Sequence, residues 1–313
     1  MSRVAVLGAG GVGGFFGGRL ARHGADVTFI ARGAHLAALR ATGLRVSSHY
    51  GDFVVDRVQA TNDPAEVGRV DYVLVCVKSW DTPAAAQLAR PMVGPETAVI
   101  SLQNGVENED QLAAVLGAEH VMGGLAYIIA RIASPGSIEQ IGPTAKAIVG
   151  ERDGRRTPRG EAFAAEAQAA GIDLDLSTGI ESEIWRKFLY ICAFSGTCTV
   201  TRSSLGPVLE DPDTRALFVA CMDEVKALAD AKGIQLESDV VQTQLSRADG
   251  FSPSVTPSML ADLERGNRLE LDWLNGTVAR LGKELGVPTP ANEFIYTALK
   301  LLRHGPGPRR AQW

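Results

Sequence analysis

Cysteine and histidine are scarce. Four cysteines (Cys76, Cys192, Cys198 and Cys221) and five histidines are spread through 313 residues. No two cysteines form a C-x-x-C pair and the histidines are scattered, which excludes the ligand spacing of a zinc site. Most of the cysteines stand in apolar runs and read as reduced, largely buried residues of a cytosolic protein. No block of like charge occurs. A net charge of −5 with a pI near 5.6 argues against a nucleic-acid surface. No run approaches the ~20 apolar residues that a membrane span needs. Met1-Ser2-Arg3 passes straight into an apolar run with no signal-peptide h-region, so the expected compartment is the cytoplasm. Internal repeats and low-complexity segments are also lacking. What is present is the composition of an ordinary soluble globular protein, 45% hydrophobic and 21% charged. The chain is long for one core and fits two domains.

The most informative stretch is Val4-Ala5-Val6-Leu7-Gly8-Ala9-Gly10-Gly11-Val12-Gly13, followed by Gly14-Phe15-Phe16-Gly17. A β-branched apolar run enters G-x-G-x-x-G, and a helical pattern follows at once, which is the context that gives this motif weight. Gly8 allows the tight turn, Gly10 lets the backbone approach a pyrophosphate, and Gly13 lets the helix lie close on the sheet. The first turn, Gly11-Val12-Gly13, points unsatisfied N–H groups and the positive dipole end at the phosphates. The next strand, Ala25–Ala31, ends at Arg32. An NAD site usually carries Asp or Glu here for the adenosine ribose. Arg32 instead offers a planar, permanently charged fork suited to a 2′-phosphate, so the expected cofactor is NADP(H).

Residues 3–30 read as a first β-α-β unit, followed by a helix over 34–41 and short strands over 44–55. Asp71–Val77 and Thr97–Leu102 read as parallel strands buried on both faces. Residues 121–149 read as three β segments, 121–129, 137–141 and 145–150. A helix over 161–170 and a strand over 172–176 complete the α/β part. From Ser177-Thr178 onward the pattern is helical, with breaks at Asp211-Pro212, Gly233, Pro253, Pro257, Gly286 and Pro288. The expected division is therefore an α/β domain over 1–178 and an all-helical domain over 179–313. The tail Gly305–Trp313 reads as a disordered end or an oligomer contact.

Ligands of open α/β sheets bind beyond the carboxyl ends of the strands. Lys78 follows one such end, and reads either as a contact to cofactor phosphate or ribose or as an exposed loop lysine. Asn104, in Gln103-Asn104-Gly105 after another strand, reads either as a plain turn or as a carboxamide holding a substrate oxygen or the nicotinamide edge. In the helix starting at Ile180, Lys187 opens an apolar run. It either snorkels outward or is buried with its pKa drawn toward the range of a general acid. Leu271, Leu274, Val278, Leu281 and Leu285 make one helical apolar stripe, and Glu270 beside it reads either as a solvated helix glutamate or as a half-buried carboxylate meeting a lysine across a cleft.

Taken in order, these pieces resemble the ketopantoate reductase (2-dehydropantoate 2-reductase) family over essentially the full chain. The matching residues are Gly8-x-Gly10-x-x-Gly13-x-x-x-Gly17, Arg32, the strand ending at Lys78, Gln103-Asn104-Gly105, Trp185-Arg186-Lys187, Ser258-Met259-Leu260 and Glu270-Leu271-Asp272-x-x-Asn275-Gly276. The resemblance implies an N-terminal Rossmann-type dinucleotide-binding domain, an all-helical C-terminal domain, and an active site in the cleft between them. It implies NADPH-dependent reduction of 2-dehydropantoate to (R)-pantoate in pantothenate synthesis. By that resemblance Lys187 matches the general acid, and Asn104 the residue holding substrate and cofactor. Glu270 matches the carboxylate near the lysine, Ser258 a substrate-carboxylate contact, and Arg32 and Lys78 the cofactor contacts. One departure stands out. The family carries asparagines one and two turns after the lysine, lining the substrate pocket, where this chain has Ile191 and Ser195. Losing such partners redirects a pocket, so a different branched 2-oxo acid is an alternative substrate. A non-catalytic NADP(H)-binding sensor on the same fold is the alternative of another class. A homodimer through the helical domain is a further expectation, and the sequence does not fix the oligomeric state.

Overall fold

Parallel strands buried on both faces dominate the first part of the chain, as a continuous apolar run demands. The computed structural model describes residues 1–305. The tail beyond Gly305, read above as a disordered end or an oligomer contact, lies outside the described residues. The chain divides into two units, Met1–Glu181 and Ser182–Trp313.

The first unit contains β1 (Arg3–Leu7), α1 (Gly11–His23), β2 (Asp26–Ile30), α2 (Gly33–Thr42), β3 (Leu44–Ser48), β4 (Phe53–Val55) and β5 (Gln59–Thr61). It continues through β6 (Tyr72–Val75), α3 (Thr82–Ala89), β7 (Ala98–Ser101), α4 (Asn108–Leu116), β8 (Val121–Ser134), β9 (Ser137–Glu151), α5 (Pro158–Ala169) and β10 (Asp173–Leu176). The strands form one sheet in the order β4-β3-β9-β8-β7-β6-β1-β2-β5, and β10 pairs with β9. Pairing is parallel from β5 through β2, β1, β6 and β7 to β8, so the N-terminal domain is Rossmann-type. Strand alternation assigns the two faces. Val4 and Val6 point to one core, with Phe15, Phe16 and Leu20 of α1. Ala5 and Leu7 point to the other, with Ala85, Ala86 and Ala89 of α3 and Leu112 of α4. Each fully buried Phe or Leu among these contributes about 1.5–3 kcal/mol.

The region read as three β segments is instead a single antiparallel hairpin of two long strands, β8 and β9. The apparent gap is a bulge. Register steps from Ile129↔Ile141 to Ile128↔Ala145, with Gly142 at φ +77° absorbing the extra residues. The short edge strand β5, which pairs with β2, carries no apolar pattern of its own and was not expected from the sequence.

The second unit is helical, as expected. Its helices are α6 (Ile180–Thr201, which begins just before the division), α7 (Leu205–Glu210), α8 (Pro212–Ala231), α9 (Val240–Asp249), α10 (Ser258–Arg265), α11 (Asn275–Leu285) and α12 (Pro290–Leu299). One expectation is corrected here. The stripe from Leu271 to Leu285 does not lie on one helix. Glu270–Trp273 form a 3₁₀ turn, the chain breaks at Leu274 (φ −107°, ψ −101°), and α11 starts at Asn275. Leu271, Leu274, Val278 and Leu281 are buried, but Leu285 is 40% exposed at the helix end, where Gly286 turns left-handed. Just after the break the Asn275 side chain is buried, and it donates hydrogen bonds to α6 and α12.

Candidate active site

The strand order reverses between β1 and β6. From β1 the chain steps to β2 on one side and later returns to β6 on the other. The crevice outside the carboxyl ends at such a reversal is where open α/β sheets bind ligands. Gly8 stands there at φ +96°, and its N–H donates to the Ile30 carbonyl at 3.2 Å. A Cβ on Gly8 would lie 2.9 Å from the Val77 side chain, so this turn and the end of β6 are in contact. A Cβ on Gly13 would lie 2.2 Å from the Gly8 carbonyl oxygen, which fixes α1 tightly on β1. Gly10 meets nothing within 4 Å, and no side chain caps α1 at that position. The turn therefore combines open space at Gly10 with the uncapped first-turn N–H groups of Gly11, Val12 and Gly13. These fit the pyrophosphate of a dinucleotide. Gly13→Ala drives a Cβ into backbone that cannot yield. We expect a loss of about 1–3 kcal/mol or more, seen as a lower Tm together with weakened dinucleotide binding. An unchanged Tm and Kd in that variant would sink this account of the turn.

Arg32 is exposed at the end of β2 and precedes α2. The planar guanidinium is the group there that suits a phosphate. Lys78 is exposed at the end of β6, with Nζ 5.7 Å from the Trp80 ring centroid. Asn104 is half-buried, and its backbone is pinned. The Asn104 carbonyl accepts from Ser79 Oγ at 2.7 Å and from Asn108 Nδ2 at 2.9 Å, while Gly105 takes φ +110°. Gln103 is buried and donates through Nε2 to the Val77 carbonyl at 2.9 Å and to Thr82 Oγ1 at 2.8 Å. Ser79, Thr82, Gln103 and Asn108 thus lock the two loops that carry Lys78 and Asn104. Sequence reasoning gave these four no role, because their partners come from separate strand ends. The one available signal was the polar cluster after two apolar strands.

In the second unit the sequence separates Lys187 from Glu270 by most of the helical domain, and the fold makes them an electrostatic pair. Lys187 on α6 is 8% exposed and Glu270 on the 3₁₀ turn is 4% exposed. The Lys187 pKa lies lowered at about 8: burial pulls it down, and the Glu270 charge offsets part of that shift. Glu183, one turn before Lys187, is ion-paired with Arg186, which also bridges to Glu237. Ile191 and Ser195 follow Lys187 at helical spacing. Ile191 is half-buried and Ser195 is buried. Ser258 is exposed as the first residue of α10. Two further buried groups were not anticipated from sequence. Burial raises Glu109, in the first turn of α4, to about 8. Glu224 on α8 accepts the Ala291 and Asn292 N–H groups at the start of α12, at 2.7 and 3.0 Å.

Comparison with known proteins places this chain among oxidoreductases. The family model described as ketopantoate reductase PanE/ApbA matches residues 4–154, and its C-terminal counterpart matches residues 179–303. The 2-dehydropantoate 2-reductase of Mesorhizobium japonicum is 31% identical over 322 residues, covering 96% of this chain and 97% of its own. The uncharacterized oxidoreductase YkpB of Bacillus subtilis is 30% identical over 298 residues, covering 95% and 97%. A crystal structure of a PanE/ApbA family ketopantoate reductase from Ralstonia eutropha superposes with a TM-score of 0.88 at 36% identity, covering 96% of this chain and 98% of that one.

Proposed function

The chain belongs to the ketopantoate reductase family, and on that premise we propose that it reduces the ketone of 2-dehydropantoate to (R)-pantoate with NADPH, Lys187 acting as general acid. The observation that carries this reading is the buried Lys187–Glu270 pair. A buried ammonium with a pKa of about 8 is still protonated at neutral pH and close enough to it to release a proton readily. NADPH supplies a hydride to the ketone carbon. Negative charge then grows on the ketone oxygen, and Lys187 Nζ stabilises it and delivers the proton, leaving a secondary alcohol and a neutral amine. Glu270 favours the ammonium against the cost of burial. In this reading the Gly8–Gly13 turn holds the pyrophosphate, and Arg32 and Lys78 take the 2′-phosphate side. The Asn104 carboxamide holds substrate and cofactor at the reacting centre, and the Ser258 hydroxyl meets the substrate carboxylate.

Ile191 and Ser195 favour a second reading, in which the same reaction acts on a different branched 2-oxo acid. An alkyl group and a hydroxyl beyond Lys187 offer less hydrogen bonding than two carboxamides. The test is NADPH oxidation, followed by absorbance, with 2-dehydropantoate beside a panel of branched 2-oxo acids. Turnover led by 2-dehydropantoate supports the first reading. Turnover led by another acid supports the second. In that case Ile191→Asn with Ser195→Asn should move the kcat/KM ratio toward 2-dehydropantoate by roughly tenfold or more. NADPH binding with no turnover on any acid would replace both with a sensor.

A further inference from the structure

A buried polar chain runs through the second unit and ties together the two elements that carry Lys187 and Glu270. Asn275 is 0% exposed, at the first position of α11 and five residues after Glu270. Its Nδ2 donates to the Cys192 carbonyl on α6 at 3.2 Å, five residues after Lys187, and to Asn292 Oδ1 on α12 at 2.8 Å. Asn292, also 0% exposed, donates through Nδ2 to the Cys221 carbonyl on α8 at 3.2 Å and to Glu224 Oε2 at 2.7 Å. The Glu224 carboxylate in turn receives the first N–H groups of α12, where a negative charge meets the helix dipole favourably. The approach of Asn275 to α6 depends on Gly196. A Cβ there would stand 2.7 Å from Asn275 Nδ2 and 2.9 Å from Oδ1.

From this arrangement we infer that Asn275 is a positioning residue, a latch that sets the distance between the Glu270 turn and the Lys187 segment of α6. Two features separate this role from ordinary packing. First, Asn275 Oδ1 is buried without a hydrogen-bond partner among the described residues. An unsatisfied buried acceptor costs stability, and the side chain is held there by its two Nδ2 bonds, to α6 and to α12. Second, Asn275 stands at the Leu274 break that separates the Glu270 turn from α11. On this inference, releasing the amide loosens the Glu270 turn relative to the Lys187 segment of α6.

The inference rests on Lys187 being the acid of the proposed reaction, so its test reads the lysine directly. Lysine labelled with ¹³C at Cε is titrated by NMR in the whole protein, with Lys187→Arg assigning the resonance. In the wild type Lys187 titrates at about 8. In Asn275→Ser the titration moves down by about half a unit or more, because Glu270 no longer favours the ammonium. The basic limb of the kcat profile moves with it. The kcat value falls by roughly 10–100-fold, as expected of a small misplacement, while the KM for NADPH holds. Gly196→Ala reaches the same latch from α6 by displacing only the flexible end of Asn275, and shifts the titration in the same direction. It keeps the test open if Asn275→Ser fails to fold. A lower Tm with the Lys187 titration unmoved in a folded variant overturns the inference and leaves Asn275 structural. A shifted titration in a protein that reduces no 2-oxo acid supports the latch and sinks the reductase reading.

Discussion

Lys187→Ala lowers kcat for NADPH-dependent ketone reduction by about 10²–10⁴, the range that a positioned general acid contributes. The variant removes an amine from a site that is 8% exposed, so water cannot readily take over the proton donation. NADPH affinity, read by fluorescence titration, holds, because the Gly8–Gly13 turn lies in the first unit and Lys187 in the second. The wild-type pH dependence follows from the same group. If Lys187 is the acid as proposed, reduction needs the ammonium, so kcat should be high below about 8 and fall as pH rises through that value. Oxidation of the alcohol needs the neutral amine and rises through the same value. A folded Lys187→Ala protein that keeps wild-type kcat would remove the lysine from the chemistry. A profile flat from pH 6 to 10 (a range of about two units on either side of the lysine) would contradict its pKa.

Arg32→Glu reverses the cofactor preference. If Arg32 pairs with the 2′-phosphate as proposed, losing that charged hydrogen bond should weaken NADPH by about 1.5–3 kcal/mol, a factor of roughly 10–150 in kcat/KM. The new carboxylate repels the phosphate and adds to that loss. It also offers NADH the ribose acceptor that an NAD site provides, so kcat/KM with NADH holds or rises. Arg32 is exposed, so the interaction is open to screening. The wild-type KM for NADPH should rise with salt over the range where the Debye length shrinks from about 10 to 3 Å. Equal kcat/KM ratios for the two cofactors in wild type and variant would leave Arg32 as a solvated surface residue.

Much of this protein was readable from the chain alone wherever the physical demand is local. The turn at Gly8 needs a positive φ, and Gly13 needs room beside a carbonyl five residues away. Both requirements are met by residue identity at fixed spacing. Apart from Arg3 at the start of β1 and Ser101 at the end of β7, the strands β1, β6 and β7 are apolar runs covered on both faces, so they announce a parallel sheet. The helical character of the second unit shows in its caps and breaks for the same reason.

Tertiary structure decided what depends on distant partners. Whether Lys187 snorkels or is buried cannot be read from its helical neighbours, because the elements that cover it come from elsewhere in the chain. The stripe from Leu271 to Leu285 satisfies helical periodicity, yet the helix breaks at Leu274. Just past that break the Asn275 amide finds its acceptor on Cys192, 83 residues away. The hairpin of β8 and β9 looked like three fragments because a bulge interrupts the alternation without ending the ladder. Local rules thus determined the dinucleotide turn and the class of each unit. Packing between distant segments determined the burial of the lysine, its carboxylate partner, and the break at Asn275 that we assign to holding them together.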